Sequence, residues 1–138
     1  MGYYIDQVDN NFTIKKENIQ KAWDSLIELF KIEKKSILYH YSWIDTQSVL
    51  NAKTFEDAMS EARWDMQLNK ETGDIEAVYF NGEKYGGDEE IILNSIAPYV
   101  EHGSYIMMQG EEGERWKWKF VDGVVEEVNG HWVWDDEE

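Results

Sequence analysis

Cysteine is absent from the 138 residues, proline occurs once, and 13 lysines and arginines face 29 aspartates and glutamates. Without cysteine there is no disulfide, no thiolate metal site and no thiol nucleophile, which agrees with a reducing compartment. No run approaches the ~18 apolar residues of a membrane span. The start, MGYYIDQVDN, carries neither the basic nor the apolar region of a secretory signal. Met1-Gly2 invites myristoylation, but Asp6 stands where that motif needs Ser or Thr. The expected location is the cytosol. His40, His102 and His131 form no HExxH or HxH spacing, and no GxSxG, Walker or GxGxxG motif occurs. Neither acidic run, 111–114 or 135–138, has the alternating ligand pattern of a calcium loop. No catalytic residue, metal or cofactor is therefore assigned, and the chain is expected not to be an enzyme. Paired carboxylates brought together by folding stay outside what linear spacing reveals.

What is present is aromatic surface and negative charge. Seven Trp, eight Tyr and five Phe supply enough apolar area for an autonomous core, unlike a disordered acidic chain. Residues 1–138 read as one domain, with 135–138 an acidic, mobile tail. The net charge of −16 is uneven: 71–138 hold 18 acids against four bases, whereas 1–70 hold 11 against nine. Such a field repels nucleic acid and anionic membrane and steers the protein toward basic surfaces; the same charge also serves solubility.

The stretch from Gly103 to Val128 organises the rest. Trp116, Trp118 and Phe120 alternate with Arg115, Lys117 and Lys119, so one sheet face is aromatic and the other basic. Burying each ring is worth roughly 1.5–3 kcal/mol, which calls for helices over the aromatic face. The basic residues are enclosed by Glu111, Glu112, Glu114, Asp122, Glu126 and Glu127, and cross-strand pairing is expected to absorb their charge. Direct nucleic-acid binding is not expected.

Around this stretch the chain reads in order as a strand over Tyr3–Val8 and a helix over 15–31. Ile19, Ala22, Trp23, Leu26, Ile27 and Phe30 form the helix stripe, with Thr13 as N-cap. Residues 34–51 give no single period. A short helix capped by Thr54 ends near Arg63, a hairpin pairs Trp64–Asn69 with Ile75–Phe80, and a helix over 88–97 is capped by Asp88. A turn at Asp122-Gly123 leads to a last strand. The predicted class is α+β, with a mainly antiparallel sheet of five or six strands and two or three helices on one face. Trp23, Trp116, Trp118 and Phe120 are expected in one core.

The segment GEKYGGDEEIILNSIAPYVEHGSYIMMQGEEGERWKWKF, with the start MGYYIDQ and EARWDMQLN, resembles a family of small acidic proteins of phages, prophages and mobile elements. The resemblance covers most of the chain and implies this fold and a setting of phage against host. It implies no catalytic residue. Two functional expectations follow. The first is an acidic interaction protein that meets a basic surface of a host protein, of the anti-CRISPR or anti-restriction type, through Glu83, Asp88, Glu89, Glu90, Glu111, Glu112 and Glu114. The second is a small-ligand or nucleotide-signal binder, or an enzyme, with a pocket of Tyr39, His40, Tyr41 and Trp43.

Overall fold

The computed structural model describes residues 3–35 and 43–130. Tyr39, His40, Tyr41, His131 and the 135–138 tail lie outside the described residues. Among the described residues, six strands and four α-helices follow one another as β1 (Ile5–Asn11), α1 (Lys16–Lys35), α2 (Thr46–Asn51), α3 (Phe55–Glu61), β2 (Trp64–Leu68), β3 (Ile75–Phe80), α4 (Glu89–Ile96), β4 (Tyr105–Gly110), β5 (Arg115–Val121) and β6 (Val124–Asn129). The class is α+β. The expected single sheet is divided: β1, β4, β5 and β6 form one antiparallel sheet in that order, and β2–β3 form a separate hairpin.

The division is bridged by side chains. Gln7 donates from Nε2 to the Val78 carbonyl at 2.8 Å, and its Oε1 accepts the Phe80 N–H at 2.8 Å; Asn10 Oδ1 accepts the Val78 N–H at 3.2 Å. A β-bulge between Gln7 and Asp9 interrupts the regular register of β1 with β4. This strand runs to Asn11, three residues beyond the expected end, because Asp9, Asn10 and Asn11 pair with Met107, Ile106 and Tyr105. A second bulge in β2–β3 lets Ile75 and Val78, an odd number of residues apart, both face the core.

The alternation of β5 is as read from the sequence: Trp118 and Phe120 are buried, while Arg115 is exposed and Lys117 and Lys119 are half-buried on the other face. Trp23 and Trp116 are half-buried and pack against the core rather than within it. In α1, Ala22, Leu26 and Phe30 are buried at i, i+4 and i+8, and the helix runs one turn past the expected end. Its N-terminal donor Lys16 N–H is taken by Asp74 Oδ1 at 2.8 Å, so the hairpin supplies the group expected from Thr13. Helix α2 lies in the stretch without a clear period. Its signal was polar: Asp45 accepts from Gln47 N–H at 3.2 Å and from Ser48 Oγ at 2.9 Å. Thr54 caps α3 as expected, accepting Asp57 N–H at 3.0 Å. No helix among the described residues is long and apolar enough to cross a membrane.

Candidate functional site: an acidic ridge and its aromatic cleft

The seam of the site is the N-terminal segment Tyr3–Ile5. Ile5 N–H donates to the Glu83 carbonyl at 3.0 Å and Tyr85 N–H to the Tyr3 carbonyl at 2.7 Å, which ties the 81–87 loop to this segment. On the other side, Tyr4 N–H donates to Glu111 Oε1 at 3.0 Å and the Tyr3 hydroxyl donates to Glu114 Oε2. Two acidic stretches far apart in sequence thus become neighbours. Glu83, Glu111, Glu112 and Glu114 are exposed there, and Lys84 lies with its ammonium 5.3 Å from the Tyr4 ring centre. The turn acids at 111 and 114 each hold a hydrogen bond to the N-terminal segment.

Asp88 and Glu89 belong elsewhere. Both are buried, at 3% and 2% exposure, so neither offers its carboxylate to a partner. Asp88 makes no side-chain cap to α4. Glu89 is the acceptor that organises the loop before it: Oε2 takes Arg63 Nη1–H at 3.0 Å and Gly86 N–H at 2.8 Å, and Oε1 takes Gly87 N–H at 3.0 Å. Arg63, itself 6% exposed, also donates through Nη2 to the Lys84 carbonyl and lies against Phe80 and Trp43, 4.7 and 5.4 Å from their ring centres. Loop GEKYGG is therefore wound around a buried guanidinium. Trp43, the described member of the expected Tyr/His/Trp pocket, lines a cleft of about 400 Å³ with Arg63, Asn81, Gly82, Glu83 and Lys84. Its Arg63 guanidinium is already committed to Glu89 and a carbonyl.

Glu90 takes a third position. Its Oε1 accepts Trp118 Nε1–H at 2.9 Å, and its carboxylate meets that of Glu127. The hydrogen bond from one carboxyl to the other, with some burial and mutual repulsion, raises the Glu127 pKa above the usual carboxylate value. Glu127 was grouped with the acids that neutralise the basic strand face. The register places it opposite Trp118 instead, and only its neighbour Glu126 stands opposite Lys119. The Asp122-Gly123 turn, with φ of 50° and 84°, could have revealed this: two positive-φ residues make a two-residue hairpin that fixes the register. On the basic face, Arg115 Nε–H donates to Gln109 at 2.8 Å and Lys117 lies 4.5 Å from the Tyr105 ring centre, so polar and aromatic groups serve where acids were expected.

Beside the Glu90–Glu127 pair lies a cleft of about 310 Å³ lined by Tyr3, Tyr85, Glu114, Trp116, Glu127 and Asn129. It is the end of the aromatic sheet face beyond α4. The Tyr85 hydroxyl has a raised pKa, first through burial and then through Glu89, Glu90, Glu127 and Asp88. That of Tyr3 is raised by its hydrogen bond to Glu114. Among the described residues no group of three or more His, Cys, Asp or Glu is arranged to hold a metal ion. No protein-family model, curated protein or solved structure matches the chain.

Proposed function

We propose that this protein is a non-catalytic interaction protein whose acidic ridge docks on a basic surface of a partner protein. The observation that supports it is the convergence of Glu83, Glu111, Glu112 and Glu114 on Tyr3–Ile5, with Glu127 at the neighbouring cleft. Each acid is exposed, and together they come from three separate chain segments. Carboxylates so placed present the kind of field that a phosphate backbone offers, and the proteins built to accept that field are enzymes that handle nucleic acid. The resemblance to phage and mobile-element proteins makes a host defence nuclease, of CRISPR or restriction type, the partner class to test first.

The test is affinity capture from bacterial lysate with the wild-type protein and with the triple variant Glu111→Gln, Glu112→Gln, Glu114→Gln, followed by kinetics on the captured protein. Glutamine keeps the acceptor oxygens for Tyr4 N–H and Tyr3 OH while removing three charges. The expected outcome is a basic partner, competed by duplex DNA, whose association slows at least about tenfold between low and physiological salt and again in the variant. Capture that is indifferent to both the variant and salt would refute the docking reading.

A further inference from the structure

We infer that the cleft lined by Tyr3, Tyr85, Trp116, Glu114, Glu127 and Asn129 receives the guanidinium of an arginine side chain carried by the partner. The inference rests on the docking reading and names the anchor within it.

The strand register builds the receptor. Glu114, Trp116 and Trp118 follow at intervals of two along one side of the chain entering β5, and on β6 Asn129 stands opposite Trp116 and Glu127 opposite Trp118. Both carboxylates therefore line the cleft together with Trp116, Tyr3 and Tyr85. A planar cation that stacks on an aromatic face and donates in its own plane to more than one carboxylate fits this arrangement, which a point-like ammonium would use less fully. Glu114 is oriented by the Tyr3 hydroxyl and Glu127 by its hydrogen bond with Glu90, so both lining acids are held before a ligand arrives. The cleft volume suits one side chain better than a large ligand.

The charge balance of the cleft points the same way. Among the described residues, no lysine or arginine lines it. Facing Glu127 are Glu90 from α4, the Trp118 N–H from β5 and Tyr85 from the preceding loop, with Glu114 from the β4–β5 turn across the cleft. Glu127 and Tyr3 hold their protons more firmly first through hydrogen bonds to Glu90 and Glu114, and Tyr85 first through burial, with the neighbouring carboxylates adding to each. A bound guanidinium would offset the repulsion between the Glu90 and Glu127 carboxylates.

The experiment uses the full chain and three capped pentapeptides, Gly-Gly-X-Gly-Gly, with X arginine, lysine or the neutral isostere citrulline. Binding is followed by the Trp116 indole resonance and by calorimetry at pH 5 and pH 7. The arginine peptide should shift that resonance, bind at least about tenfold more tightly than the citrulline peptide, and bind more tightly at pH 7. Glu127→Gln and Glu114→Gln should each weaken it by about three- to tenfold. Glu127→Gln also removes the carboxylate repulsion. A raised carboxyl pKa means that the folded state holds the proton more firmly, so native stability falls as pH rises through the titration of this pair. The variant should therefore melt about 1–3 °C higher at pH 7 and keep that stability as pH rises, so weaker binding by it would not reflect unfolding. Equal binding of the citrulline or lysine peptide, or unchanged affinity in both variants, would overturn the inference. If the peptide does not bind the cleft but the 111, 112, 114 variant still loses its partner, the anchor falls and the docking reading stands. If the peptide binds here while partner capture ignores the ridge charges, the ridge reading falls and the arginine site stands.

Discussion

At the scale of single residues, Arg63 decides more of the structure than any acid on the ridge. It leaves α3 with φ of 81°, a left-handed conformation that costs a side-chain-bearing residue about 1–2 kcal/mol. The compensation is a buried ion pair with Glu89, side chains 7% and 2% exposed, and two glycine amides bound to the same carboxylate. Glycine is required twice in the loop around it: a Cβ on Gly82 would sit 2.5 Å from the Arg63 guanidinium and 2.7 Å from the Phe80 ring, and one on Gly86 2.8 Å from Nη1. Glu89→Ala should cost about 3–5 kcal/mol in urea unfolding, because it strands a guanidinium and two amides without an acceptor. A loss below about 1 kcal/mol would contradict the buried pair. The sequence presents Glu89 as one acid among Asp88, Glu89 and Glu90, three neighbours that end in different environments. Its partner lies 26 residues away, and local spacing carries no sign of that pairing.

At the scale of elements, period and turn chemistry were legible and long-range hydrogen bonding was not. The two-residue alternation of β5, the α1 stripe, the Thr54 cap and the span of β3 follow from rules that act within a few residues. The split of the sheet depends on Gln7 and Asn10, two amides whose side chains replace strand pairing between β1 and β3. Their role is invisible without knowing that β3 lies alongside. Gln7→Leu should leave the Val78 carbonyl and Phe80 N–H unpaired in a half-buried seam, at about 1–3 kcal/mol. Hydrogen exchange would locate the damage: the Phe80 amide should lose protection while Ile106 and Met108 of β4 keep theirs. Unchanged protection at Phe80 would mean that β1 and β3 do not depend on this link. The candidate site was legible to a similar depth. Its turn acids were recognisable as exposed, whereas Tyr3, Tyr85 and Glu127 join them only through the N-terminal seam and the β5–β6 register.

At the scale of the whole molecule, folding separates buried acids from the acids of the ridge. Asp88 and Glu89 are buried, and Glu89 is held by a cation and amides, so changes in salt reach it little. The ridge acids are exposed and share one region, where each feels the others through water. A net charge of −16 on a folded chain of this size favours the unfolded state, in which the same charges are farther apart. Raising ionic strength from about 0.01 M to 0.15 M shortens the screening length from roughly 30 Å to 8 Å, which removes repulsion across the ridge and leaves the Arg63–Glu89 pair nearly untouched. Melting temperature should rise by about 2–5 °C over that interval, and the rise should shrink in the variant with glutamine at 111, 112 and 114. Partner association should respond to the same salt in the opposite sense, slowing as the attraction is screened. Thermal melts and binding kinetics on one series of buffers would check both directions. A melting temperature that falls with salt would mean that attractive pairs dominate the surface field, and the ridge would then be electrostatically satisfied within the molecule, with no excess charge left to steer a partner.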